Sequence, residues 1–261
     1  MPVGNKFAND ILNVVRGASL VRDPTTAIAQ GIDEPNSEAV FTKPTDASYA
    51  DVPATISMFG LPGDRRVSNI LEIDFGQVTG TPGTIVREVR SAGLIDGAGN
   101  FIISGSLARG ESFEDLDESY FPIGRFELKW DCKPEYVGNW LANAILGVPT
   151  KGQTLTAPSK LSLSLLSNRP APGVVNSPVP QIEAIDIPCE AGQWLEPTAR
   201  ATHNLVVLEF PAASADIEKI LGWQLADPSS NVWWQGSIDP AKMALQNYIL
   251  KIAPEGVLLE V

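Results

Sequence analysis

Leu161, Leu163 and Leu165 alternate with Ser162 and Ser164, the period-two pattern of a strand with one buried face. Further strand-like runs follow at Gln181 to Ile187, Asn204 to Phe210, Ile217 to Leu225, Val232 to Ile238 and Tyr248 to Ile252. The earlier part of the chain offers Ala54 to Phe59, Ile70 to Phe75 and Thr84 to Ile95, separated by Gly-Leu-Pro-Gly-Asp and Thr-Gly-Thr-Pro-Gly turns. Helical spacing is confined to the start of each half. Phe7, Ile11, Leu12, Val14 and Val15 form an apolar stripe that Gly17 ends. Ala18 to Tyr49 is rich in Pro, Thr, Ser and acidic residues and reads as a loop-rich excursion around one weak strand. Residues 167–180, SNRPAPGVVNSPVP, read as a Pro-rich surface loop.

The pattern occurs twice. Asp96 to Leu107, DGAGNFIISGSL, and Asp227 to Ile238, DPSSNVWWQGSI, share Asp, Asn, Gly-Ser and an apolar residue at a spacing of 131. Each predicts a β-hairpin: a strand ends at the Asp, five turn-forming residues reverse the chain, and an apolar run returns to a Gly-Ser where the strand can bend. Asn5 to Leu12 and Asn139 to Leu146 match as N-x-x-A-N-x-I-L at a spacing of 134, which Pro24 and Pro158 keep. Pro122-Ile123-Gly124 and Pro254-Glu255-Gly256 match at 132, each before a strand-like tail, Arg125 to Asp131 and Val257 to Val261. Four blocks in one order indicate a tandem duplication, with its boundary in Cys132-Lys133-Pro134-Glu135. At the 134 spacing, Ala27, Ala29 and Gly31 stand where the second copy has three leucines. The fold class is therefore mostly β: two tandem antiparallel β-sandwich domains, residues 1–133 and 134–261, each preceded by a short α-helix.

Composition agrees. Twenty-one Pro and 22 Gly among 261 residues favour turns over long helices, and 44% hydrophobic content suits a globular chain. The formal net charge of −12 opposes a phosphate backbone, so no nucleic-acid partner is expected. No apolar run approaches the roughly 20 residues of a membrane span, so no membrane partner is expected either. The start MPVGNKFAND lacks the basic and apolar regions of a secretory signal. Cys132 and Cys189 do not occupy equivalent positions of the repeat, which argues for two free thiols in a reducing compartment.

Catalytic apparatus is not legible. The one histidine, His203, has neither a Gly-x-Ser-x-Gly elbow nor a neighbouring cysteine, and reads as a loop histidine. Two cysteines and one histidine give no zinc spacing. Glu111, Glu114, Asp115, Asp117 and Glu118 could supply Ca²⁺ ligands or an acid/base pair, but lack EF-hand spacing and have no counterpart in the second copy, and read as a solvated loop. No phosphate-cradling glycine loop is present. The expected sets of catalytic, metal-binding and cofactor residues are thus all empty. Aromatic residues give the better signal. Trp233 and Trp234 are adjacent on a strand and point to opposite faces, so one fills the core and the other is exposed or covered by a neighbour. With Trp223, and with Phe7 and Trp140 on the two helices, they are the candidate interface residues.

Taken in order, the N-x-x-A-N-x-I-L helix, the Pro-led strand, the D-x-x-x-N hairpin with its Gly-Ser bend, and the P-x-G before a final strand resemble a family of tailed-bacteriophage virion proteins, commonly labelled tail fibre or minor tail proteins. Residues 157–165, APSKLSLSL, resemble that family's opening and Ile220 to Ile238 its hairpin. The resemblance implies a non-enzymatic virion component of the tail or neck, assembled in the host cytoplasm, a homo-oligomer whose partners are other virion proteins. Open sheet edges and exposed loops suit such assembly. The alternatives are a capsid decoration protein and a module binding host surface glycan through an exposed tryptophan. Glycoside hydrolysis, which needs two carboxylates about 5 to 10 Å apart in a cleft, ranks last.

Overall fold

The computed structural model describes residues 3–130, 137–171 and 174–261. The expected boundary at Cys132 to Glu135, Cys132 itself and part of the Pro-rich loop lie outside the described residues. The chain is mostly antiparallel β, as expected, and divides into two compact units. Unit 1 comprises Met1–Ala8, Leu20–Asp131 and Asn143–Leu155; unit 2 comprises Asn9–Ser19, Cys132–Ala142 and Thr156–Val261. A segment from each half of the sequence thus completes the unit that the other half builds.

Unit 1 carries strands β1 (Ala27–Gly31), β2 (Val52–Pro53), β3 (Arg66–Ser68), β4 (Ile73–Gln77), β5 (Ile85–Ile95), β6 (Phe101–Glu114), β7 (Glu118–Phe121) and β8 (Glu127–Lys129). They form an antiparallel sheet in the order β2-β1-β5-β6 and two ribbons, β3-β8 and β4-β7. Unit 2 carries β9 (Lys160–Leu166), β10 (Ile185–Pro188), β11 (Ala201–His203), β12 (Leu208–Glu209), β13 (Ile217–Ala226), β14 (Val232–Ala244), β15 (Lys251–Ile252) and β16 (Leu258–Glu260). Its sheet runs β10-β9-β13-β14, with ribbons β11-β16 and β12-β15. Strand for strand, the two orders are the same.

Helices α1 (Asn5–Asn13) and α2 (Asn139–Lys151) stand at the start of each half. The apolar stripe of α1 is buried, and a 3-10 turn, Val14–Arg16, carries it to Gly17, whose left-handed backbone (φ 93°) closes it. Both helices begin against a hairpin. The Gly4 amide donates to the Ile102 carbonyl at 3.0 Å and the Gly138 amide to the Trp233 carbonyl at 2.9 Å. A Cβ on Gly4 would lie 1.7 Å from the Phe101 carbonyl oxygen, and one on Gly138 2.0 Å from that of Val232, so only glycine permits the approach.

Several expectations change; Asn204 to Phe210, for one, is a strand only at Leu208–Glu209. Ala54 to Phe59 is not a strand but a 3-10 turn, Ile56–Met58, because the Lys151 ammonium in unit 1 gathers the Ile56 and Phe59 carbonyls, each at 2.9 Å. In β1, Ile28 pairs with Leu94, as Leu163 pairs with Leu225 in the other sheet. The position matching Leu163 is therefore Ile28, and that matching Leu165 is Gln30, one residue from the sequence match; with a side-chain period of two, that slip changes the face of every residue. Neither hairpin closes at its Gly-Ser: β6 continues to Glu114 and β14 to Ala244.

The core of unit 1 gathers Ile28, Leu94, Ile73 and a run of phenylalanines, with Phe75 5.6 Å from Phe121 and Phe121 5.7 Å from Phe126 between ring centroids. Unit 2 buries Leu161, Leu163, Leu225, Trp194, Phe210 and Leu259. Unit 1 also contains a polar core. Arg87, buried on β5, donates to both Asp46 carboxylate oxygens at 2.9 and 2.7 Å, and its guanidinium lies 5.1 Å from the Tyr49 ring centre. Gln30 donates to Ser119 Oγ at 2.9 Å. These bonds fix the excursion between Ala18 and Tyr49, which has too few apolar residues to hold itself by burial.

Candidate assembly surface

Each long hairpin is built on one carboxylate. The Asp96 amide donates to the Asn100 carbonyl at 2.8 Å, while Asp96 Oδ1 accepts from the Ala98 and Asn100 amides at 3.0 and 2.8 Å. In unit 2 the Asp227 amide donates to the Asn231 carbonyl at 3.0 Å, and Asp227 Oδ1 accepts from Ser229 and Asn231, both at 2.9 Å. The fourth turn residue is left-handed in both, Gly99 (φ 82°) and Ser230 (φ 65°). Burial alone would raise each carboxyl. The bonds from the asparagines and the turn amides outweigh it and hold both below the usual aspartate range.

Four asparagines fix the remaining frame, and the sequence reading did not single them out for that. Asn69 is buried; it donates to the Leu71 and Pro122 carbonyls at 2.8 and 3.0 Å and accepts from the Phe126 amide at 3.0 Å. Asn204 in unit 2 donates to the Val206 and Ala253 carbonyls at 2.8 and 2.9 Å and accepts from the Val257 amide at 2.8 Å. The signal lay in Asn69-Ile70-Leu71-Glu72-Ile73-Asp74-Phe75 and Asn204-Leu205-Val206-Val207-Leu208-Glu209-Phe210, which match at a spacing of 135. The second asparagine of each N-x-x-A-N-x-I-L block also binds a turn. Asn143 accepts from the Arg65 amide at 2.8 Å in unit 1, and Asn9 from the Arg200 amide at 3.1 Å in unit 2. Both arginines are left-handed, at φ 63° and 68°, in otherwise matching two-residue turns.

The candidate interface residues are placed as follows. Trp233 and Trp234 are each 1% exposed. Trp233 lies under Trp140, with ring centres 5.5 Å apart, and its indole N–H donates to Asp227 at 3.2 Å. Trp140 is 40% exposed and Phe7 is buried in unit 1. Trp223 is half-buried, its indole lying on Gly236, where a Cβ would come within 2.6 Å of Nε1. That contact accounts for the glycine of the Gly-Ser pair in the second hairpin.

Trp223 opens onto a groove of about 670 Å³ along the second half of β14. Its walls include Ile238, Met243, Leu245 and Tyr248, of which Met243 is 74% and Tyr248 55% exposed. Lys242 stands among them without an acidic partner among the described residues, whereas Lys251 pairs with Glu209 at 2.7 Å and Asp239 with Arg169 at 3.1 Å. Such a surface suits a protein contact: apolar, aromatic and open.

His203 ends β11, half-buried, 3.9 Å from Glu255. Burial pushes the Cys189 thiol up to about 12. Among the described residues no three of His, Cys, Asp and Glu are placed to hold a metal ion, and no helix is long and apolar enough to cross a membrane. In the acidic run, Asp117 accepts from the Glu114 amide at 2.7 Å within the turn and Asp115 from the Gly80 amide at 2.9 Å, tying the turn to a neighbouring loop.

Residues 136–260 match the model of the Gp80 family, described as podophage GP4 fiber I protein gp80. This half of the chain is similar to a phage fibre protein. The match supports the tail-fibre-like resemblance read from the motifs, and it covers unit 2's sheet, both its ribbons and the groove. No curated protein matches the chain.

Proposed function

We propose that this chain is a non-enzymatic structural protein of a phage tail or neck, built by tandem duplication of a fibre-type β unit and working through protein–protein assembly. The fibre-family match over residues 136–260 carries the reading. The eight strands of unit 1, all outside that match, support the duplication: they have the same order, the same aspartate-centred hairpin and the same buried asparagine. On this reading the domains are the two repeats, residues 1–133 and 134–261, and the chain forms homo-oligomers through surfaces such as the unit 2 groove.

Quantitative mass spectrometry of gradient-purified particles tests the proposal. The chain should be present at the copy number of one or a few rings. Hundreds of copies per particle would instead favour shell decoration, and absence would remove the virion reading. Host-glycan binding is the further alternative. The burial of Trp233 and Trp234 leaves Trp223 and Trp140 as its aromatic contacts, and loss of glycan-array binding in Trp223→Ala would support it.

A further inference from the structure

Unit 1 presents, at the end of its long hairpin, a feature whose chemistry complements the groove. Between β6 and β7 the chain turns at Glu114-Asp115-Leu116-Asp117, and Leu116 adopts φ 73°, a region that a bulky side chain rarely occupies. The turn is held firmly. The Leu116 amide donates to the Val78 carbonyl at 2.8 Å, the Val78 amide to the Asp117 carbonyl at 2.8 Å, and Gln77 Nε2 to the Leu116 carbonyl at 3.1 Å. The Leu116 side chain is nevertheless 63% exposed, flanked by the exposed residues Glu114, Asp117 and Glu118. An apolar side chain fixed outward in a strained, acidic turn gains nothing from burial in its own unit.

We infer that the Leu116 turn of one copy docks in the unit 2 groove of a second copy, Leu116 against Met243, Tyr248 and Trp223, and Glu114 and Glu118 facing Lys242. The inference rests on the assembly reading above. Three observations select this occupant over an unrelated partner. The groove is apolar and large enough for a leucine and its neighbours; its one uncompensated charge is positive while the turn is acidic; and both surfaces belong to the same chain, which supplies them at equal number. The contact joins two different surfaces, so it is head-to-tail, and repetition gives a ring or a filament as the rotation dictates.

Sedimentation velocity of the full chain over a concentration series tests this. The parent protein should form species heavier than the 27.9 kDa monomer. Leu116→Asp and Lys242→Glu should each sediment as monomer with unchanged circular dichroism, and Met243→Asp provides a second groove variant should Lys242→Glu fail to fold. Mixing Leu116→Asp, whose groove is intact, with Lys242→Glu, whose turn is intact, should give one 1:1 pair that does not grow. A parent that stays monomeric, assembly that survives both substitutions, or a mixture that forms no pair would each overturn the inference. Mass spectrometry of purified particles separates the two failures: a chain present in particles yet monomeric in solution keeps the virion reading and loses this contact.

Discussion

Asn204→Ala should destabilise unit 2 by about 3 kcal/mol. The side chain makes three hydrogen bonds, to the Val206 and Ala253 carbonyls and from the Val257 amide, and none of its surface is exposed. Each such bond contributes on the order of 1 kcal/mol net, and the buried Val257 amide, left without an acceptor, accounts for more than the carbonyls that water can reach. At about 4 °C per kcal/mol for a unit of this size, the unfolding midpoint should fall by roughly 10 °C. Asn204→Asp should be worse, because a carboxylate cannot donate to the two carbonyls it would face and would be buried without a counter-charge. Thermal unfolding followed by tryptophan fluorescence is a suitable assay, since buried Trp194 bridges to Asn204. Asn69→Ala makes the parallel test in unit 1. A midpoint within about 2 °C of the parent, or an Asn204→Asp protein as stable as Asn204→Ala, would refute the reasoning.

Arg87→Met should cost about 3 to 5 kcal/mol by stranding Asp46 in a buried site, and should open the segment around Asp46 to limited proteolysis while the β14 hairpin stays protected. Asp96 and Asp227 have depressed folded-state values, so the stability they contribute is present above the ordinary aspartate value near 4 and is lost as pH falls through their folded values. Unfolding midpoints should accordingly fall on acidification below about pH 5, and Asp227→Asn should flatten that fall. Gly138→Ala should abolish stable folding of unit 2, because its Cβ would overlap the Val232 carbonyl, as read by loss of near-ultraviolet dichroism. Ser230→Gly should stabilise by about 1 kcal/mol in denaturant titration, since Ser230 occupies the left-handed position that Gly99 takes in the other hairpin.

The features legible in the sequence were local. The Asp-x-x-x-Asn turns, the stripe of α1 ended by Gly17, and the Leu-Ser alternation of β9 each depend on residues a few positions apart. What escaped reading depends on distant partners. Arg87 looks like the exposed member of an alternating strand until Asp46, 41 residues away, is brought against it. The Ile56–Met58 turn is set by Lys151, 95 residues on from Ile56. The one-residue slip in β1 arose from matching at Pro24 and Pro158, whereas pairing to β5 places Ile28 opposite Leu94. On the second hairpin the adjacent tryptophans are buried, and the exposed apolar residues sit farther along, at Met243, Leu245 and Tyr248, where the sequence shows no periodic pattern.

Electron cryomicroscopy of the intact particle tests the central claim most directly. The account predicts density for this chain on the tail or neck in a symmetric ring, with both units traced in the same strand order and the groove along β14 covered by a neighbouring subunit. Units that differ in strand order, or a groove left open to solvent in the assembled particle, would contradict it.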